Sequence, residues 1–393
     1  MKNIFLPIFS LLLIFSHPSM GVAQLPSYRA IAEELKVLQK QLVPDARVAI
    51  LDIVLKDTLQ PAAVLSGESD QPDAIAKISN WLTEKGIVFT DSVRLLPAAH
   101  LGDKGWALAT LSVSNLRAQP GDASELVSQA LMGTPMRVLD SRKGWVRVQT
   151  PDDYIGWMDD AGLQRLTADE LDRWKGANRY FYHEISGFVY DAPGRNSDVV
   201  SDIVLGDLFE VTAEAGSFLQ IKTPDGRSGY LPKSACLSWN RWSQQQPDGQ
   251  TMVRTARQMM GTPYLWGGCS AKAADCSGFV KLLYYTQGII LARDASQQAQ
   301  YGKVIDDTQI SLFQTGDLLF FGKSAQRVTH VGFYLTDGYF IHSSGKVHIS
   351  SIVPADPKYV PERNRVAVRR VVGAVGQKGI TRVADHPWYS ANP

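Results

Sequence analysis

The sequence matches itself at an offset of 73 residues, and this repeat restricts what the middle of the chain can fold into. Gly133 corresponds to Gly206, and the Thr-Pro-Asp triplet at 150–152 corresponds to the same triplet at 223–225. The matching positions lie in short apolar segments and in the Gly, Asp and Pro turns between them. Such a pattern is typical of a small all-β barrel, and its recurrence predicts two copies of one barrel.

We place these barrels at residues 105–166 and 187–237, with a short helical connection near 168–175. The 393 residues are too many for one hydrophobic core. The spacing of apolar residues predicts a small α+β region at 24–104, with helices over 31–42 and 74–85. After a polar linker at 241–250, helices followed by consecutive strands predict an α+β domain at 251–373.

Residues 1–23 are interpreted as a secretory signal peptide. Lys2 precedes an apolar run at 4–15, and small residues at 21–23 suit cleavage after Ala23. We therefore predict an exported protein, periplasmic or secreted, with no transmembrane segment and as a monomer. The net charge of +1 gives no electrostatic reason to expect binding to nucleic acid.

Cys276 is the candidate nucleophile. It follows Asp275 and precedes an apolar helical pattern, so it lies on the first turn of a predicted helix. Unpaired N–H groups and the helix dipole stabilise a thiolate there, which predicts a lowered cysteine pKa. Two alternatives stay open: Cys276 is a buried inert thiol, or it forms a disulfide with Cys269. With three cysteines in the chain, at least one thiol is free.

Two histidines are candidate partners of Cys276. His330 lies at the start of a predicted strand and His342 lies on the next one. The Asp337-Gly338 turn between them favours a hairpin, and antiparallel pairing would bring His342 within reach of a ring nitrogen of His330. The alternatives are structural histidines, an Asp275 that only caps the helix and an Asp317 that only forms a turn. Zinc-ligand spacings are missing from the sequence, so we predict neither metal nor cofactor.

These motifs resemble those of the NlpC-type papain-like peptidases, which hydrolyse peptide bonds in bacterial cell-wall peptides. The resemblance implies a papain-like domain in which Cys276 is the nucleophile, His330 the general base and His342 the orienting group. The barrels resemble bacterial Src-homology-3-like domains. The matching peptidase motifs are Tyr264-x-Trp266-Gly267-Gly268, Asp275-Cys276-Ser277-Gly278-Phe279, Gly316-Asp317-Leu318, Thr329-His330-Val331-Gly332 and Ile341-His342.

The domain order is similar to that of exported γ-D-glutamyl-L-diamino acid endopeptidases of the dipeptidyl-peptidase VI type. In those enzymes a Glu and a Tyr of the first barrel bind the free amine of an N-terminal L-Ala, and Glu125 and Tyr154 resemble them. An Arg-Asp-Ser triplet follows their catalytic helix, whereas this chain has Arg293-Asp294-Ala295, so the resemblance does not extend to the substrate hydrogen bond of that serine. The remaining substrate-binding candidates are Tyr264, Trp266, Asp275, Ser277 and Asp294.

The resemblance implies hydrolysis of murein peptides between γ-D-glutamate and the diamino acid, with release of L-Ala-D-Glu. One alternative is an endopeptidase that acts on the stem peptides of intact peptidoglycan. Another is an inactive protein that only binds the wall, and an acyltransferase that uses the same cysteine is a third.

Overall fold

The computed structural model describes residues 28–56 and 62–390, so the predicted signal peptide lies outside the described residues. The N-terminal region has a three-stranded sheet in the order β1-β2-β3, antiparallel between β1 and β2 and parallel between β2 and β3. The apolar stripes of two helices pack on this sheet, and both predicted helices are confirmed. The elements are α1 (Tyr28–Leu42), β1 (Leu51–Lys56), β2 (Ala63–Ser69), α2 (Pro72–Glu84) and β3 (Phe89–Leu95).

The first barrel is one seven-stranded sheet with the order β10-β4-β7-β8-β9-β5-β6. Its interior is apolar, with side chains such as Leu116, Val138 and Val148 fully buried. The strands are β4 (Trp106–Ala109), β5 (Val113–Arg117), β6 (Leu126–Leu131), β7 (Pro135–Arg142), β8 (Trp145–Gln149), β9 (Ile155–Asp159) and β10 (Leu163–Leu166).

The second barrel repeats the strand order of the first, as β17-β11-β14-β15-β16-β12-β13. The connecting helix is α3 (Ala168–Gly176). The strands are β11 (Arg179–Tyr182), β12 (Ser186–Tyr190), β13 (Val199–Val204), β14 (Leu208–Ala215), β15 (Phe218–Lys222), β16 (Ser228–Pro232) and β17 (Cys236–Ser238). The predicted start at residue 187 is wrong, because β11 already pairs with β14 and β17. Its aromatic sequence does not resemble that of β4, so the repeat could not be followed back to it.

The C-terminal part has a six-stranded sheet in the order β19-β24-β20-β21-β22-β23, with helix α6 packed on β21. The helices and the consecutive strands predicted for this domain are present. The elements are α4 (Trp239–Ser243), α5 (Gly249–Gln258), α6 (Cys276–Tyr285), β18 (Ile289–Leu291), α7 (Ala295–Gln298), β19 (Lys303–Ile305), β20 (Leu318–Gly322), β21 (Val328–Thr336), β22 (Tyr339–Ser344), β23 (Lys346–Ser351), β24 (Arg365–Arg370) and β25 (Ile380–Arg382).

Two predicted boundaries of this part need correction. The supposed linker at 241–250 contains Trp242, which is fully buried and donates a hydrogen bond from Nε1 to the Tyr285 carbonyl at 2.9 Å. The chain also remains structured past residue 373, since β25 pairs with β18. The carbonyl of the buried Tyr389 accepts a hydrogen bond from Arg179 at 2.8 Å. Both segments are polar in sequence, and only contacts with distant elements order them.

The two barrels and the C-terminal part share one continuous hydrophobic core, in which Leu131, Phe181 and Phe279 lie together. Gly267, in the C-terminal part, packs tightly against Leu126 of the first barrel. Its φ of +79° suits glycine, and a Cβ there would overlap the Leu126 carbonyl oxygen. This contact holds the first barrel against the loop that precedes α6. Within the described ranges, none of the helices has the length and apolar character needed to cross a membrane.

Candidate active site

Cys276 is the first residue of helix α6 and is buried. The Asp275 side chain caps the helix by accepting a hydrogen bond from the Gly278 N–H at 2.7 Å. Helix α6 packs on strand β21, and the backbone N–H groups of Val331 and Ser277 act to lower the pKa of the Cys276 thiol. The sulfur therefore lies between the start of α6 and strand β21. Cys269, Cys276 and Cys236 are all free thiols in this structure.

Asp275 also forms a buried ion pair with Arg293, whose side chain is only 1 % exposed. Arg293 Nη2 lies 2.6 Å from Asp275 Oδ2, and Nη1 donates to Ser277 Oγ at 3.0 Å. Arg293 Nε donates to Ser128 Oγ of the first barrel at 3.2 Å. The Asp275 oxygens thus accept hydrogen bonds from the start of α6 and from Arg293. Direct contact of Asp275 with a substrate stays a prediction. Sequence reasoning assigned no role to Arg293 or Ser128.

The two histidines meet as the hairpin predicts. Asp337 and Gly338 both have positive φ in the tight turn between β21 and β22. His330 Nε2 lies 2.8 Å from His342 Nδ1. His342 Nε2 in turn lies 3.0 Å from the Ser350 hydroxyl, which sequence reasoning did not identify. This arrangement occupies Nε2 of His330 and leaves its Nδ1 for another partner. Asp317 forms an ion pair with Arg370 at 2.8 Å and does not contact the two histidines. This fits its interpretation as a turn residue.

Burial controls the protonation of these groups. It raises the pKa of the Cys276 thiol to about 11, and the Asp275 charge acts in the same direction. Burial lowers the pKa of His330 to about 3, with smaller contributions from Arg363 and His348. It lowers the pKa of His342 to about 2. The predicted lowering of the cysteine pKa is therefore wrong for the free protein, because desolvation outweighs the helix start. At neutral pH the site holds a neutral thiol beside neutral imidazoles.

A low histidine pKa predicts activity that persists in mild acid. A base with the lowered pKa of His330 stays unprotonated at pH 5, so we expect kcat/KM to change little between pH 7 and pH 5. An ordinary histidine would lose roughly 30-fold at pH 5. Peptide cleavage measured across this range checks the prediction, and an acid limb with a midpoint near 6.5 would contradict it.

Circular dichroism at each pH is the control for that measurement. The unfolded chain binds protons at its histidines below about 6.5, whereas the buried folded histidines do not until about pH 3. The unfolded state therefore binds more protons in this range, and the free energy of unfolding falls as the pH falls. Only pH values at which the protein is folded enter the rate comparison.

An open cleft of about 1220 Å³ runs past Cys276 and combines three parts of the chain. The N-terminal region contributes Arg47, and the first barrel contributes Glu125 and Tyr154. All seven predicted substrate-binding residues line this cleft. They are Glu125, Tyr154, Tyr264, Trp266, Asp275, Ser277 and Asp294.

Glu125 and Asp294 are the two carboxylates that line the cleft besides Asp275. Trp266, which is 62 % exposed, donates from Nε1 to Glu125 Oε1 at 2.7 Å. Asp294 Oδ2 accepts from Arg47 at 2.7 Å and from the Tyr154 hydroxyl at 3.4 Å. Burial and the Asp294 charge raise the pKa of Tyr154, so its hydroxyl remains a donor. Sequence reasoning missed Arg47, which lies about 250 positions from Asp294 in the chain.

Ala295 lines the cleft where the resembling enzymes have a serine. The next residue, Ser296, also lines the cleft, and its hydroxyl accepts a hydrogen bond from Arg47 at 3.1 Å. A serine hydroxyl is thus present one position later, but it faces the N-terminal region. Among the described residues, no group of three or more His, Cys, Asp or Glu side chains is placed to hold a metal ion.

Comparison with known proteins matches two segments of the chain to families. Residues 261–369 match the NlpC/P60 family, and residues 116–163 match the bacterial dipeptidyl-peptidase SH3 domain. Both matches lie where the structure places the walls of the cleft.

Individual relatives match a larger part of the chain. A γ-D-glutamyl-L-lysine dipeptidyl-peptidase of Bacillus cereus is 27% identical over 254 residues, which cover 61% of this chain and 74% of that protein. Dipeptidyl-peptidase 6 of Lysinibacillus sphaericus is 28% identical over 268 residues, 64% of this chain and 94% of that protein. The crystal structure of an NlpC/P60 family protein from Bacillus cereus superposes with a TM-score of 0.59 at 23% identity, over 68% of this chain and 99% of that one, and supports the fold. Residues 261–369 therefore form a cysteine peptidase domain of the NlpC/P60 family, and an SH3 domain of the bacterial dipeptidyl-peptidase type precedes it.

Proposed function

We propose that this peptidase hydrolyses the bond between γ-D-glutamate and a diamino acid in murein peptides that have a free N-terminal L-Ala. The observation that carries the proposal is the composition of one cleft. Cys276 and the carboxylates of Glu125 and Asp294 line the same cleft. The names of the B. cereus and L. sphaericus relatives favour the same substrate class.

The reaction starts with a proton transfer from the Cys276 thiol to Nδ1 of His330, which the Nε2 contact to His342 leaves available. The thiolate attacks the γ-carbonyl carbon of D-glutamate. The backbone N–H of Cys276, at the start of α6, is a donor to the oxyanion that forms. Because Cys276 and His330 are both neutral in the free protein, the thiolate forms only when the attack on the substrate begins.

His330 then gives its proton to the departing amine of the diamino acid, and the C–N bond breaks to leave a thioester on Cys276. Water attacks the thioester carbonyl while His330 takes one of its protons. Collapse of the second tetrahedral intermediate returns that proton to the sulfur and releases L-Ala-D-Glu. His342 and Ser350 hold the ring of His330 throughout, as a positioning chain.

The carboxylates of Glu125 and Asp294 suit the binding of a charged amine. A carboxylate facing an ammonium forms a strong charge-assisted hydrogen bond, and Trp266 holds only one oxygen of Glu125. Asp294 supplies a second carboxylate beside the Tyr154 hydroxyl. An alanine that is amide-linked to the glycan has no ammonium for these groups, so intact stem peptides are poor substrates. Export by the predicted signal peptide would give the enzyme access to released wall peptides.

Mass spectrometry of the products tests the proposal. The substrates are L-Ala-γ-D-Glu-L-Lys and its N-acetylated form, which models an alanine linked to the glycan. We expect L-Ala-D-Glu and free lysine from the first peptide and little product from the second. Equal cleavage of both would favour an endopeptidase of intact peptidoglycan. Absence of cleavage in both would favour a wall-binding protein.

A further inference from the structure

Arg363 is a half-buried cation near the histidine pair. It lies in the loop between β23 and β24, and its Nη2 donates to the hydroxyl of Ser344 at 2.6 Å. The ion pairs formed among residues 28–56 and 62–390 do not include Arg363. By contrast, the cleft arginines Arg47 and Arg293 each have a carboxylate partner. Arg363 therefore offers a guanidinium that is anchored by a hydroxyl and has no carboxylate partner among the described residues.

Arg363 lies beside the end of the strand that carries His342. Its anchor Ser344 is the last residue of β22, the strand that carries His342. The adjacent Gly345 carbonyl accepts a hydrogen bond from the Tyr264 N–H at 2.9 Å, so this corner meets the cleft wall. The positive charge of Arg363 acts to lower the pKa of His330, of His342 and of Tyr264.

We propose that Arg363 binds a carboxylate of the leaving diamino acid and so selects substrates that carry a free carboxylate next to the scissile bond. The inference rests on the proposed function. His330 must reach the departing amine, so the diamino acid lies on the side where Arg363 is found. The α-carboxylate of that residue is separated from its reacting amine by a single carbon. A guanidinium binds such a group through two parallel hydrogen bonds.

The test compares peptides that differ only in this carboxylate. One is L-Ala-γ-D-Glu-L-Lys, and the other is the same peptide with a carboxamide in place of the lysine carboxylate. A third peptide ends in a diamino dicarboxylic acid amidated at the α position, and it shows whether the second carboxylate can serve instead. Wild type, Arg363→Gln and Arg363→Lys are compared. Arg195→Gln, on an exposed loop of the second barrel, is the charge-matched control.

We expect wild type to cleave a carboxylate peptide about 10- to 100-fold better in kcat/KM than the lysine carboxamide. Arg363→Gln removes this preference, Arg363→Lys keeps part of it, and Arg195→Gln keeps all of it. If wild type prefers the third peptide to the lysine carboxamide and Arg363→Gln loses that preference, Arg363 contacts the second carboxylate.

Two results would overturn this inference and leave the proposed function intact. One is equal cleavage of all three peptides by wild type. The other is a uniform slowing in Arg363→Gln that leaves the preference intact, because Arg363 would then act only through the charge it exerts on the histidines. If wild type cleaves none of the peptides, the proposed function fails and this inference fails with it.

Discussion

Replacement of Cys276 by alanine is expected to reduce peptide hydrolysis by about 10⁴-fold or more. The sulfur is the only group at the start of α6 that can form the thioester, and water alone does not replace it. Because Cys276 is small and buried at the helix start, the alanine variant should fold normally. Hydrolysis of L-Ala-γ-D-Glu-L-Lys, followed by chromatography of the products, measures the loss.

The matched control is Cys236→Ala, which removes a thiol from the second barrel. This variant should retain full activity, since Cys236 lies outside the cleft that contains Cys276. Substantial turnover in folded Cys276→Ala protein would show that Cys276 is not the nucleophile.

Replacement of Arg293 by methionine is expected to lower the free energy of unfolding by about 3–5 kcal/mol. The substitution leaves the carboxylate of Asp275 buried without its cation. It also removes the hydrogen bonds from Arg293 to Ser277 and to Ser128 of the first barrel. Asp275 caps the helix that carries Cys276, so activity should fall together with stability. Urea unfolding followed by fluorescence measures the change.

Two further variants identify the cause of the destabilisation. If an unpaired Asp275 is responsible, Arg293→Met combined with Asp275→Asn should recover part of the lost stability. Arg173→Met breaks an exposed contact to Glu170 on α3 and should leave the unfolding curve unchanged within error. Wild-type stability in Arg293→Met would contradict the role assigned to this ion pair.

Local sequence was sufficient to predict the parts of the site that depend on neighbouring residues. An Asp-Cys-Ser-Gly run before an apolar helical pattern predicts a capped helix, and the helix begins at Cys276. A two-residue turn between alternating strands predicts the hairpin that joins His330 to His342. The repeat at an offset of 73 predicts one strand order in both barrels, and the two sheets have it.

The remaining features depend on contacts between distant segments. Arg47 reaches Asp294 from the N-terminal region, and Ser128 reaches Arg293 from the first barrel. No local pattern marks these residues, because their partners lie more than 160 positions away. The direction of the Cys276 pKa shift also depends on burial by the whole fold, and the helix start alone predicted the wrong direction.

The proposed function depends on recognition of a free N-terminal amine by Glu125. The most direct test is kcat/KM for L-Ala-γ-D-Glu-L-Lys against its N-acetylated form, in wild type and in Glu125→Gln. Glutamine keeps the size of the side chain and the oxygen that accepts from Trp266. We predict that wild type prefers the free amine by about 10- to 100-fold, and that Glu125→Gln loses most of this preference through a higher KM. Equal cleavage of the two peptides by wild type, or an unchanged preference in Glu125→Gln, would contradict the claim.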